Sequence, residues 1–480
     1  MTTLSSLATA DKPFIDSGNT AWVLAAAALV LFMTPGLAFF YGGMVRTKSV
    51  LNMMMMSFIS MGTVGTVWVL WGYSEAFGPD LGDKGLLGNP FKEFGLHGVL
   101  SAIYGYTPAS GGNPAAGGIP GSAFVAFQVV FAIIAVALIS GAIADRAKFT
   151  TWTVFTVLWA TLVYFPAAHW VFAFSGYAAK TGGWIANGGG FLHGHGAYDF
   201  AGGTAIHINA GAAGLALALV LGKRIGFGKD PMRPHNLTLV MLGAGILWFG
   251  WFGFNAGSAL GAGTQAAGVW VNTLAATCTA MLGWLIVEKV RDGHPTSLGA
   301  ASGVVAGLVA ITPACATVTP VGALIVGLAA GSICAFAVGL KFKLGFDDSL
   351  DVVGVHLVGG LVGTLLIGLL ASVNSPTGLA GIKMQEGLFY GGGFLQLGVQ
   401  AAAAISVMIF SFVVTYIIGF ALEKTMGFRL HEDDEDAGID SAEHAETGYD
   451  LGNLFSGRMG VGSHAVPHDA RHHDEEEVKA

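Results

Sequence analysis

The sequence predicts an all-α integral membrane protein with eleven transmembrane helices, in which spans 1–5 and 6–10 form an inverted repeat and an eleventh span is added. Three observations carry that reading. Of the 480 residues, 53% are hydrophobic and only 11% are charged, whereas soluble globular chains run near about a quarter charged. Glycine supplies 73 residues, about twice the usual share, and small residues let helices approach closely where lipid offers no hydrophobic force between them. Finally, eleven apolar stretches approach the roughly 20 residues needed to cross a hydrocarbon core about 30 Å thick.

In chain order, residues 1–19 form an extracellular N-terminal segment with neither the basic cluster nor the small-residue cleavage site of a signal peptide, so the first span is permanent. The spans fall at 20–42, 50–72, 122–143, 150–171, 201–222, 236–256, 269–289, 298–313, 321–340, 352–372 and 396–420. Residues 73–120, rich in Gly, Pro and Asn, read as a long outer loop rather than a domain. The transporter bundle covers 20–420, and 421–480 forms an acidic cytosolic tail whose last part, from His464 to Ala480, has the composition of disorder. The net charge of -8 comes largely from that tail, through the runs Glu432 to Asp436 and Asp474 to Glu477.

Basic residues set the orientation, because short loops rich in Lys and Arg stay cytoplasmic. Arg46, Lys48, Arg146, Lys148, Lys223, Arg224, Lys229, Arg233, Lys289, Arg291, Lys341, Lys343, Lys424 and Arg429 all follow odd-numbered spans. The opposite side has Lys12, Lys84, Lys92, Lys180 and Lys383. A multi-pass chain in the cell membrane, N-terminus outside and C-terminus inside, is expected.

Five spans followed by five more enter the bilayer in opposite senses, the layout of an inverted repeat. The fifth span opens with Asp199-Phe-Ala-Gly-Gly-Thr-Ala-Ile-His207 and the tenth with Asp348-Ser-Leu-Asp-Val-Val-Gly-Val-His356. Each places an Asp eight residues before a His. His207 and His356 are also the histidines that fall well inside spans, where an ionisable group is costly unless it faces a cavity or a partner. Two unrelated histidines, each satisfied by a carbonyl, are the plainer alternative. Their matching positions favour facing neutral imidazoles that pass a hydrogen bond or a proton along a lumen.

Asp199 could attract a cation at the outer mouth or cap the helix that follows. Aromatics cluster at Phe127 to Phe131 and from Trp251 through Phe254 to Ser258. Aromatic faces with one hydroxyl can make a cup for a cation, although single rings at these depths also occur as an interfacial belt. His193-Gly-His195 followed by Asp199 lacks a fourth metal ligand, so no metal or other cofactor is expected. Cys278, Cys315 and Cys334 show neither a CxxC spacing nor a disulfide framework. The glycine clusters at 257–268 do not match a phosphate loop. No nucleophile–base pairing suggests an enzyme, and nothing points to a nucleic-acid partner.

Together these residues resemble the ammonium transporter family (Amt/Mep/Rh), in particular its bacterial Amt branch. The resemblance rests on Phe-Phe-Tyr-Gly-Gly-Met-Val-Arg at 39–46, Asp-Phe-Ala-Gly-Gly-Thr at 199–204 leading to His207-Ile-Asn209, Gly-Trp-Phe-Gly-Phe-Asn-Ala-Gly-Ser at 250–258, Ile-Thr-Pro-Ala-Cys at 311–315 and Asp351-Val-Val-Gly-Val-His356. It implies that His207 and His356 line the pore, that Phe131 and Phe254 gate it, and that Phe127 and Ser258 help bind ammonium outside. Asp199 would support recruitment and deprotonation, and Trp251 and Thr312 would shape the pore wall. Where the family commonly has a tryptophan after the fourth span, this chain has Phe172, with Trp184 in a longer following loop as a substitute. The family further implies a homotrimer, no cofactor, and a tail from Gly427 to Asp450 that docks on the cytosolic face, where a PII signal protein can bind in bacterial members. Uptake of ammonium, deprotonated outside and conducted as ammonia, is the function expected. A less selective cation channel and a membrane ammonium sensor with little conduction are the rivals.

Overall fold

The computed structural model describes residues 12–107, 115–174, 182–188 and 194–449. Eleven helices among them are long and apolar enough to cross a membrane: α1 Ser17–Met44, α2 Thr47–Phe77, α3 Gly121–Ile143, α4 Phe149–Phe172, α5 Gly203–Leu221, α6 Leu237–Gly257, α7 Thr264–Asp292, α8 Ser297–Ala314, α9 Pro320–Leu344, α10 Val353–Leu370 and α11 Leu395–Thr425. The largest departures from the sequence boundaries are α2 and α7, which extend at both ends because a polar turn continues an apolar helix without changing its hydropathy signal. Two short helices follow in the tail, α12 Glu432–Ala437 and α13 Ile439–His444. The expected disordered end, His464 to Ala480, lies outside the described residues.

Helices α3, α5 and α8 are the most enclosed, while α2 and α11 turn a large apolar share outward. Ile405, Ile409, Val413, Ile417 and Phe420 on α11 are exposed, as expected where the solvent is lipid. Helices meet at glycine. A Cβ on Gly243 of α6 would run into the Phe40 backbone of α1, and one on Gly331 of α9 into the Ala280 carbonyl of α7. Such approaches replace the absent hydrophobic force with dense van der Waals contact.

The two halves start their fifth helices with the same device. The Asp199 carboxylate accepts from the N–H groups of Gly202, Gly203 and Thr204 at 2.8, 2.6 and 2.7 Å. Asp348 accepts from Val352 and Val353 at 3.0 and 2.7 Å. Each carboxylate is followed by a wide π-helical turn, Gly203–Ile208 or Val353–Leu357, that carries a histidine. Gly202 enters the first turn at φ +119, a conformation that an L side chain resists.

On the face that collects the basic turns, a buried ionic cluster joins the loops after α3, α5 and α9. The Arg224 guanidinium grips Asp347 in two bonds of 2.9 Å and reaches Asp145 at 3.1 Å. Arg146, fully buried, donates to Ser349 Oγ at 2.5 Å and to the Asp347 carbonyl at 2.6 Å. Burial alone pushes the Asp347 carboxyl up, but Arg224 and Arg146 outweigh it and hold the group below the usual carboxylate range.

The tail docks on this face through carboxylates that cap backbone from elsewhere. Glu435 takes the Ile225 N–H at 2.8 Å and also pairs with Arg429 at 2.8 Å. Asp440 takes the N–H groups of Leu51 and Asn52 at 3.0 and 2.8 Å, and Glu443 takes that of Phe149 at 2.9 Å. Tyr449 meets His235 Nε2 at 2.9 Å.

Candidate functional site

Near the N-terminal end of α3, the residues Phe124, Gln128 and Phe131 share one face because they recur at i, i+4 and i+7. They line a cavity of about 140 Å³, together with Phe172 and Phe174 from the end of α4, Phe200 and Ala201 ahead of α5, and Ser258 and Leu260 after α6. Its walls are aromatic and its polar groups few. The Ser258 hydroxyl donates its one proton to the Phe254 carbonyl at 2.8 Å. Its lone pairs are thereby left to accept from whatever occupies the cavity.

Phe131 forms the floor. Its ring stacks on Phe254 with centroids 4.3 Å apart and planes 28° apart. Phe254 lies 6.1 Å from the His207 ring, and His207 stacks on Trp251 at 5.5 Å and 18°. Below, the His207 and His356 rings lie 5.3 Å apart at 19°, their Nδ1 atoms separated by 3.3 Å. Both imidazoles are buried. A bond between two ring nitrogens holds one proton, so a neutral pair contains one Nδ1–H tautomer and one Nε2–H tautomer. His207 Nε2, although buried, has no hydrogen-bond partner.

A polar network holds the wall behind the pair. Trp251 Nε1 donates to Thr312 Oγ1 at 2.8 Å, Thr312 reaches Asn255 Oδ1 at 3.2 Å, and Asn255 Nδ2 donates to Thr273 Oγ1 at 3.0 Å. Trp251 and Thr312 were expected at the wall. Asn255 and Thr273 escaped the sequence reading, because neither is ionisable and their partners lie on other helices.

The remaining expected residues fall as follows. Phe127 is fully buried beside the cavity rather than in its wall, with its ring edge-on to Phe131 at 4.8 Å. Phe172 is in the wall, whereas Trp184 packs edge-on against Trp170 at 5.7 Å. Asp199 spends its acceptor capacity on the helix start, including a bond from the Thr204 hydroxyl. His193 lies outside the described residues. His195 borders a separate cavity of about 400 Å³ with Lys383, Gln385 and Gln396. Phe174, Phe200 and Gln128 were not singled out from sequence, although Phe200 follows Asp199 directly and Gln128 sits between the two marked phenylalanines.

Comparison with known proteins adds a likeness over the whole bundle. The family model described as "Ammonium Transporter Family" matches residues 21–449. The chain is 61% identical over 443 residues to an ammonium transporter of Mycobacterium tuberculosis strain H37Rv, covering 91% of each protein. Among solved structures it resembles Mep2 of Candida albicans with a TM-score of 0.76 at 34% identity, covering 88% of both chains. It also resembles a structure titled "Sensor Amt Protein" with a TM-score of 0.76 at 28% identity, covering 89% of this chain and 98% of that one.

Proposed function

The chain belongs to the ammonium transporter family, and on that premise we propose that it collects ammonium at the aromatic cavity, strips its proton near the phenylalanine floor and conducts ammonia past the histidine pair. The observation that carries this reading is the run of neighbouring rings Phe131, Phe254, His207 and His356, which leads from a cavity suited to a cation to two buried imidazoles. Ring quadrupoles and the Ser258 lone pairs attract a cation, and neutral imidazoles do not replace its hydration shell. Potassium and ammonium are of similar size, so discrimination rests on the one thing potassium cannot do, which is to release a proton. Asp199 adds a fixed negative charge near the outer mouth without entering the lumen.

In this reading the basic face with its docked tail is cytosolic, as the loop charges favour, and three copies form the working unit. Docking through Glu435, Asp440 and Glu443 provides a means of regulation, and the same face is where a PII-type partner would bind. The test is current or pH change across proteoliposomes on adding ammonium, with potassium as control. An ammonium response without a potassium response supports conduction. Equal responses favour an unselective channel, and no flux from folded protein favours a sensor.

Ser258→Ala is expected to raise half-saturation by about tenfold, since a hydrogen bond to a charge contributes about 1.5 to 3 kcal/mol and solvent returns part of it. The folded bundle should survive, because only the Phe254 carbonyl loses a donor. Unchanged concentration dependence would remove Ser258 from the site. For the tail, Asp440→Ala takes both N–H caps at Leu51 and Asn52 away, and limited proteolysis between residues 427 and 449 should accelerate. A tail as resistant as the parent's would show that these two bonds do not hold it down.

A further inference from the structure

The end of α4 that carries Phe172 is tied to the loop after α2 by a buried pair that the proposed path does not use. His169, one turn before Phe172, and Asp80 have fully enclosed side chains. His169 Nδ1 lies 3.0 Å from the Ala76 carbonyl oxygen and Nε2 lies 3.1 Å from Asp80 Oδ1. A carbonyl can only accept. Asp80 is also an acceptor, because its oxygens already take the N–H groups of Lys84 at 2.5 Å and Leu87 at 3.4 Å. Burial alone would push its carboxyl up, but the backbone N–H groups of Gly85, Lys84 and Leu87, together with His169, outweigh that and hold it below the usual carboxylate range. Both ring nitrogens therefore face acceptors, whereas a neutral imidazole carries a single N–H. The arrangement is complete only with two protons on the ring.

What this pair braces reaches the outer cavity. Asp80 shapes the turn in which the Leu81 N–H meets the Leu87 carbonyl at 2.7 Å. That turn in turn holds the aromatic end of α4: Trp170 Nε1 donates to the Leu86 carbonyl at 2.7 Å, and the Trp184 N–H to the Gly85 carbonyl at 3.0 Å. The segment at 182–188 closes the assembly, through Ile185 and Ala186 N–H groups on the Trp170 carbonyl at 3.1 and 2.9 Å and Gly183 on the Ala173 carbonyl at 2.7 Å. Phe172, between Trp170 and Ala173, is a wall of the cavity.

We propose that His169, which makes both ring bonds to Asp80 and the Ala76 carbonyl only when doubly protonated, is a positioning residue that sets Phe172 over the outer cavity and makes cation recruitment depend on external pH. The proposal rests on the reading of that cavity as the recruitment site. The charged groups around the ring are few. Asp80 is in contact, and Asp83 and Lys84 are exposed on its turn. Glu75, also buried, precedes Ala76, and residues 182–188 contribute backbone and no titratable side chain. The direction follows from proton count. At low pH both ring bonds are made, and as pH rises one N–H is lost, an acceptor is left facing a lone pair, and the brace loosens.

The test uses the full-length chain in proteoliposomes with methylammonium, which stays protonated across the range examined. Half-saturation should rise about fivefold, equivalent to about 1 kcal/mol, between pH 5.5 and 8.5. His169→Gln, which keeps an amide donor but cannot titrate, and Asp80→Asn should flatten that profile. A merely structural histidine would leave the slope in place. A flat parent profile, or an unaltered slope in His169→Gln, overturns the proposal. Histidine-selective ¹⁵N NMR of the parent in micelles gives the second measurement. A doubly protonated ring signal at pH 5.5 that vanishes in His169→Gln supports the imidazolium, and its absence overturns it. A parent that carries no methylammonium at any pH sinks the outer-site reading, and the ring signal tells that failure from failure of the brace itself.

Discussion

If the proposed path is right, His207→Asp and His356→Glu are expected to admit potassium that the parent protein excludes. The two rings stack 5.3 Å apart with their Nδ1 atoms at 3.3 Å, a distance at which one proton bridges them, and Trp251 and Phe254 pack against His207. A bare monovalent ion in such surroundings would lose its hydration without a compensating charge, at an effective cost of several kcal/mol. A carboxylate at either position supplies that charge at close range, where Coulomb attraction is far stronger than in water. Each 1.4 kcal/mol returned to the ion is worth about tenfold in permeation, so the ammonium-to-potassium ratio should fall by at least about tenfold. His207→Ala or His356→Ala removes the proposed relay without adding charge. Ammonium flux should then drop while potassium stays out to a greater extent than in the acidic variants. Paired ammonium and potassium currents in the same proteoliposomes read both quantities, with oligomer size in detergent confirming the fold. Acidic variants that fold, still exclude potassium and carry ammonium at the parent rate would mean that the histidines are structural.

The second large effect is expected on stability. Arg224→Ala leaves Asp347 and Asp145, both buried, without the guanidinium that bonds them. Breaking a buried ion pair by removing one partner costs about 3 to 5 kcal/mol, whereas replacing both partners with apolar groups can be close to neutral. Arg224→Met combined with Asp347→Leu should accordingly recover part of the loss. Denaturant midpoints in mixed micelles give the comparison. The sign with pH is also set: Asp347 is held below the usual carboxylate range, so its contribution is present above the unfolded-state pKa of about 3.9 and is lost as pH falls through the lower folded value. An Arg224→Ala variant within about 0.5 kcal/mol of the parent would show that Arg146 beside Asp347 and Arg46 beside Asp145 satisfy the cluster without it.

What the sequence makes legible follows from which forces leave a local trace. Spans are visible because lipid demands unbroken apolar stretches, and all eleven expected stretches coincide with helices. His207 and His356 stand out because an ionisable residue in such a stretch needs a reason and because their spacing from Asp199 and Asp348 repeats. The cavity wall was only half readable. Phe131 and Ser258 belong to marked runs and Phe172 was marked by the resemblance; Gln128 lies inside the first run but is not aromatic, Phe174 enters through the path of the backbone after α4, and Trp184, the alternative to Phe172, packs on Trp170. Pairs separated by long stretches of chain were invisible. Arg224 and Asp347 are 123 positions apart and Asp80 and His169 are 89 apart. His169 falls near a span end, where a histidine looks solvated until the turn after α2 folds over it.

The docked tail has a consequence for how the protein is made. The N–H groups that open α2 and α4 are satisfied by Asp440 and Glu443, and free donors at a helix start need such partners. Asn52 meets its carboxylate 388 positions later in the chain, and Phe149 meets its own 294 positions later. During synthesis both helices are in the bilayer long before those caps exist. The ends of α2 and α4 that the tail covers therefore lack these caps until Asp440 and Glu443 have been made and the tail has docked.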